Sequence, residues 1–149
     1  MECPSTLFIN LYLYAINKAI YRTMGRAGTA ALRLVTDDLV KFLREMGLLS
    51  EKPSLEEVQK LLTKDLAIVD EMEIKETDSE VFIVLWGFAF SEFLRRAQEE
   101  KFEPVAYPFV EVIAKIYETN SGFRLAIRSF DIVGTDTIVV RCTKMRNRS

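Results

Sequence analysis

Hydrophobic residues recur at two different spacings along this chain, and the spacing changes from helical to strand-like twice. Helical spacing runs from Thr6 to Arg22 and from Leu32 to Met46, and it returns on both sides of Pro104. Alternation at every second residue follows each helical part. It is carried by Met72, Ile74 and Val81 to Trp86, and then by Phe123, Leu125, Ile127, Ile138, Val140 and Cys142. The order predicts an α+β fold, in which an N-terminal helical hairpin and further helices pack on a four-stranded antiparallel sheet.

The residues between these segments predict where the helices begin and end. Gly47 ends the second apolar series and suits a left-handed helix cap. Ser54 and Glu57 form a capping box, in which each side chain can reach the other residue's free backbone N–H, so a short third helix follows Pro53. Pro108 suits the first turn of a later helix, which ends before Gly122.

Length and composition predict one globular domain over residues 1–149. With 49% hydrophobic residues, the chain can fill one sizeable core. A net charge of -2 gives no overall attraction to nucleic acid. Asn10, Asn17 and Lys18 interrupt the most apolar stretch, which argues against a membrane span, and two cysteines at opposite ends favour a reducing, cytoplasmic setting.

The chain contains no histidine, which excludes histidine-based triads and most zinc, haem or non-haem iron sites. Its acidic pairs, such as Asp37 and Asp38, are adjacent on helices and point about 100° apart, so they form no catalytic dyad. Cys142 alternates with Ile138 and Val140, which predicts a buried, inert thiol. We therefore expect a protein that is not an enzyme and needs no cofactor or metal.

Two stripes run along the first predicted helix. One is apolar, with Phe8, Leu11, Tyr12, Ala15, Ala19 and Ile20. The other carries Asn10, Tyr14, Asn17 and Tyr21. Because tyrosine is favoured at protein interfaces for its large amphipathic area, we predict that the second stripe forms a homodimer interface. Tyr14 and Tyr21 could instead orient a polar head group together with Arg26.

The aromatic residues suggest a second kind of site, since ligand pockets are mainly apolar with a few polar groups. We predict that a hydrophobic small molecule or lipid-like ligand contacts residues on the N-terminal helices, at the end of the second strand and near Pro108. These residues are Tyr12, Arg26, Trp86, Phe88, Phe90, Tyr107 and Phe109. Simple core packing is the alternative for each aromatic residue. The chain would then be a structural or adaptor subunit with a filled core.

Short motifs give the chain a family resemblance. The start of the second helix carries Met24, Gly25, Gly28, Arg33 and Leu34 and leads to Phe42 and Leu43. This segment resembles the small-residue helix start of the Golgi-tethering TRAPP subunits and of the 4-vinyl reductase domains. The order of elements from Tyr107 to Thr143 is similar as well. The resemblance implies a domain that encloses an apolar molecule or acyl chain, often as a homodimer through its N-terminal helices. Ile132 and Ile138 stand roughly where the 4-vinyl reductase domains carry paired cysteines.

Overall fold

The computed structural model describes residues 6–101 and 109–146, and it confirms the α+β arrangement. Two helices come first, joined by a single tight turn at Gly25–Ala27. A third helix precedes the first pair of strands, and two more helices precede the second pair. The helices are α1 Thr6–Met24, α2 Gly28–Glu45, α3 Leu55–Lys60, α4 Ser91–Glu99 and α5 Val110–Ser121. A wider helical turn, Leu61–Asp65, continues α3. The strands are β1 Glu71–Glu76, β2 Glu80–Trp86, β3 Phe123–Val133 and β4 Thr137–Arg146.

The four strands form one antiparallel sheet in the order β1-β2-β4-β3. Leu85 pairs with Met72 on one side and with Ile138 on the other, so the alternating apolar residues line up across the sheet. This inner face is the one predicted from the alternation. The other face carries charged side chains beside the apolar Phe82, Val84 and Val139, and it includes an ion pair of 3.4 Å between Arg141 and Glu80.

The core lies between the inner face of the sheet and the helices. It is built largely from α5, α4, the α3 region and the two central strands, and its largest fully buried side chains include Phe88, Phe93, Leu61, Ile83 and Ile113. α1 supplies only partly buried residues to this core, Leu13 and Tyr14. Most of the hydrophobic core therefore forms without α1.

Of the local signals at the helix ends, Gly47 is confirmed and the capping box is confirmed in one half, whereas Pro108 lies outside the residues that the structure describes. Gly47 follows α2 with a φ of +77°, a conformation that favours glycine. Ser54 Oγ accepts a hydrogen bond of 3.1 Å from the Glu57 N–H, as the capping box predicts. The reciprocal half was wrong, because the Glu57 carboxylate accepts from the backbone N–H and the hydroxyl of Ser50, at 2.7 and 2.8 Å.

Gly87 makes the connection from β2 toward α4 possible. Its φ is +64°, and a Cβ at this position would collide with the carboxylate of Asp70. The preceding carbonyl, that of Trp86, accepts a hydrogen bond of 2.8 Å from the Asp70 N–H. Glycine is therefore required here both for its backbone conformation and for space.

Within the described ranges, no helix is both long enough and apolar enough to cross a lipid bilayer.

Candidate functional site

The two asparagines of the α1 stripe face their own chain. Asn10 and Asn17 are only 2% and 3% exposed, although both are polar. Asn10 Nδ2 donates to the carbonyl of Ala89 at 2.8 Å, and its Oδ1 accepts from the Phe93 N–H at 2.9 Å. Phe90, the residue before α4, supplies no side-chain cap. Asn10 therefore satisfies a free N–H in the first turn of α4 from another helix.

Beside this stripe, Lys18 connects α1 to the end of α4 through an ion pair. Lys18 Nζ lies 2.8 Å from a Glu100 carboxylate oxygen and 3.1 Å from the hydroxyl of Tyr14. The hydrogen bond from Lys18 is the largest cause that lowers the pKa of Glu100, and a hydrogen bond from Tyr14 is the second. The hydrogen bond to Glu100 raises the pKa of Lys18. Both side chains are therefore charged at neutral pH.

These contacts cover two residues of the predicted dimer interface. Asn10 and Asn17 are covered by their own chain, so they offer almost no surface to a second copy. Tyr14 is half-buried beside Lys18 and packs against the core, and Tyr21 is exposed at a cleft that also involves Glu100. The two asparagines are covered because both amide side chains find hydrogen-bond partners inside the chain.

The apolar stripe of α1 faces outward instead. Phe8 is 65% exposed and Tyr12 is 59% exposed, and their rings stack with centroids 6.2 Å apart. We call the surface formed by the exposed apolar side chains of this helix the outer face of α1. Its large members are Leu7, Phe8, Leu11, Tyr12 and Ile16. α1 thus buries its asparagines and exposes its aromatic and aliphatic side chains, the reverse of a helix that packs on a core.

α2 carries a second exposed apolar strip, formed by Leu34, Val35, Phe42 and Met46. The opposite side of α2 packs on the core and on α5. Val40 and Leu43 belong to the core. The Thr36 hydroxyl donates to a Glu111 carboxylate oxygen of α5 at 2.7 Å. We call these four exposed side chains the α2 strip.

Three of the aromatic residues predicted to bind a ligand come together beside α4. The rings of Phe88 and Phe90 meet edge to face at 5.5 Å, and those of Phe90 and Phe109 stack at 6.2 Å. Phe88 is buried, whereas Phe90 and Phe109 are half-buried. We call these three residues the aromatic cluster.

The other four predicted ligand residues are not part of the aromatic cluster as the structure describes it. Trp86 is half-buried in the last position of β2, and Tyr12 lies on the outer face of α1. Tyr107 and the side chain of Arg26 lie outside the part of the chain that the structure describes. The predicted ligand set therefore divides between the aromatic cluster and the surface of α1.

The sequence predicts the two stripes of α1 but not their orientation. One signal was available, since an asparagine recurs seven residues after another, at Asn10 and Asn17, on one side of a helix. Such a pattern is compatible with an exposed polar face or with a buried hydrogen-bonded seam. Only the position of α4 decides between them.

These features define a class of protein, a small α+β domain whose N-terminal helices present apolar side chains outward. No known protein-family description matches the sequence. The chain is 30% identical over 122 residues to the uncharacterized protein MJ0758 of Methanocaldococcus jannaschii, a match that spans 82% of this chain and 77% of that protein. The chain belongs to the same family as MJ0758.

Proposed function

We propose that this chain is a non-enzymatic interaction module that works as a homodimer, with the outer face of α1 and the α2 strip as the contact surface. The orientation of α1 carries the proposal. Exposing the large side chains of Phe8 and Tyr12 to water is unfavourable for an isolated chain. A partner on the outer face removes that cost.

The exposed area matches what a dimer needs. A large aromatic side chain buries roughly 150 to 250 Å² when it is fully covered. Three of the nine exposed side chains of the outer face and the α2 strip are aromatic, and the nine are between 37% and 71% exposed. Together they offer an area on the order of 900 Å². A stable interface of standard size buries about 800 Å² on each partner. A second copy of this chain would supply the same apolar surface in return, as a two-fold interface requires.

Small residues at the centre of the outer face suit contact with another helix. Ala15 and Ala19 are exposed, and they lie one turn apart between the larger side chains. The distance between packed helices falls as the side chains at the contact become smaller.

This dimer is also in line with the resemblance to TRAPP subunits and 4-vinyl reductase domains. The free, buried thiol of Cys142 suits a reducing compartment, so we include a cytoplasmic setting in the proposal.

The test is a double substitution, Leu11→Gln with Ile16→Gln, on the outer face of α1. Glutamine keeps helix propensity, and both side chains are exposed, so the monomer should fold as before. Light scattering after gel filtration should give the mass of a dimer for the original chain and of a monomer for the variant, with unchanged circular dichroism. Val133→Gln is the matched control, because Val133 is an exposed apolar residue at the far end of β3.

A monomeric original chain at micromolar concentration contradicts the proposal. A double variant that remains dimeric also contradicts it, since the interface would then lie elsewhere.

The aromatic cluster favours a second candidate function, the binding of a hydrophobic small molecule. Phe90 and Phe109 are only half-buried although they stack on each other, and Phe109 has a left-handed backbone with a φ of +64°. Such conformations in residues other than glycine concentrate at functional sites. Native mass spectrometry should show an adduct that is absent after denaturation and reduced in Phe90→Ala. A clean mass for the native protein counts against this function and leaves the dimer proposal intact.

A further inference from the structure

A cleft lies between the second half of α1 and the end of α4. It is lined by Lys18, Tyr21, Arg22, Glu100 and Lys101, and its volume is about 420 Å³. Sites for small molecules occupy about 300 to 1,000 Å³. The cleft is therefore large enough for a compact ligand.

The charge of the cleft is opposite to that of the chain. Among the described residues that line it, three basic side chains stand against one carboxylate, which gives these residues a net charge of +2, whereas the whole chain carries -2. Lys18 and Glu100 form an ion pair of 2.8 Å with each other. Arg22 and Lys101 therefore supply the excess positive charge.

The backbone at the end of α4 places one of these charges at the cleft. Lys101 has a φ of +56°, a left-handed conformation that usually favours glycine at the end of a helix. Its N–H donates to the carbonyl of Gln98 at 3.2 Å, which closes the last turn. A glycine there would end the helix equally well but would carry no charge.

We propose that this cleft binds the phosphate group of a small phosphomonoester. A phosphomonoester carries about -1.5 to -2 charges at pH 7, which matches the net charge of the cleft. Arg22 offers the planar fork that binds phosphate oxygens in pairs, and Lys101 adds a point charge. Tyr21 supplies an aromatic ring at the wall of the cleft. The proposal rests on the contact of α1 with α4, so it does not depend on the dimer.

The test is a calorimetric titration at fixed ionic strength, with inorganic phosphate and glucose 6-phosphate as probes. Arg22→Gln and Lys101→Gly should each weaken the affinity by about tenfold or more. Lys101→Gly is compatible with the left-handed backbone, so its effect reports the loss of the lysine side chain and its charge. Lys64→Gln is the matched control, because Lys64 is an exposed lysine beyond α3 and outside the cleft.

A second arm uses vesicles that contain phosphatidic acid, whose headgroup is also a phosphomonoester. Binding of glucose 6-phosphate identifies a soluble ligand, and binding of the vesicles alone identifies a lipid headgroup. Either result supports the proposal if Arg22→Gln weakens that binding by about tenfold or more. The proposal is overturned if millimolar phosphate, glucose 6-phosphate and the vesicles all fail to bind, or if both cleft variants bind as the original chain does.

Discussion

At the scale of single residues, Cys142 shows how the alternation of a strand determines the chemistry of a side chain. It lies on the inner face of β4, paired with Val81 of β2 and Ile127 of β3, and it is fully buried. Burial, and then the negative charge of Glu118, raises the pKa of the thiol from 9.0 to about 11. The predicted burial is confirmed, and the thiol is protonated at neutral pH.

This raised pKa predicts a loss of stability in alkali. Between about pH 9 and pH 11 the unfolded thiol loses its proton while the folded thiol keeps it, so the free energy of unfolding falls as the pH rises. The expected slope from Cys142 is at most about 1.4 kcal/mol per pH unit. Urea denaturation across this pH range should show a shallower decline for Cys142→Ala.

The difference in slope between the original chain and Cys142→Ala gives the contribution of the Cys142 thiol to the loss of stability. Tyr117, whose pKa burial raises to about 12, changes stability in the same direction but is present in both. Equal slopes for the original chain and the variant would contradict the assignment to Cys142.

At the scale of elements, the polar contact between α1 and α4 is the feature that fixes the N-terminal helix. Three hydrogen bonds involve the amide group of Asn10, and two of them reach residues at the start of α4. Because α1 contributes little to the buried core, these bonds have a large share in determining its orientation. The orientation of α1 in turn determines which side chains face outward.

Asn10→Ala should destabilise the chain by about 1 to 3 kcal/mol, because it leaves the Ala89 carbonyl and the Phe93 N–H without their buried partner. Asn10→Asp should keep one of these two hydrogen bonds and lose the other. A carboxylate still accepts from the Phe93 N–H, but it has no N–H to donate to the Ala89 carbonyl. Urea denaturation at neutral pH measures both.

Thr23→Ala is the control for this helix. The Thr23 hydroxyl is exposed and donates only locally, to the carbonyl of Ala19 at 2.6 Å, so its loss should cost about 0.5 kcal/mol or less. If Asn10→Ala costs no more than Thr23→Ala, then Asn10 does not hold α1 on α4.

At the scale of the whole molecule, the sheet and the helices present very different surfaces. The edge strand β1 exposes Glu71, Glu73 and Lys75, and the edge strand β3 exposes Arg124 and Arg128. Charged side chains on edge strands oppose pairing with the sheet of another molecule. The outer face of α1 and the α2 strip carry large apolar side chains instead. This contrast favours assembly through the helices over assembly through the sheet.

Much of the fold was predictable because the signals for it are local. The alternation of Ile138, Val140 and Cys142 predicted which side of β4 is buried, and Gly47 predicted the end of α2. Both depend on residues within a few positions of each other.

The candidate site was less predictable. Phe88, Phe90 and Phe109 converge as an aromatic group, but Tyr12 lies on another surface.

The sequence by itself determined the order of the elements, the inner face of the sheet and the existence of two stripes on α1, because strand and helix periods are properties of the backbone. Only the tertiary structure decided which stripe is buried. The partners of Asn10, the Ala89 carbonyl and the Phe93 N–H, lie 79 and 83 residues further along the chain. Those groups are available only because Gly87 and the turn after β2 bring the start of α4 against α1. A hydrogen bond between such distant residues leaves no periodic signal in the sequence, yet it turns Phe8 and Tyr12 outward.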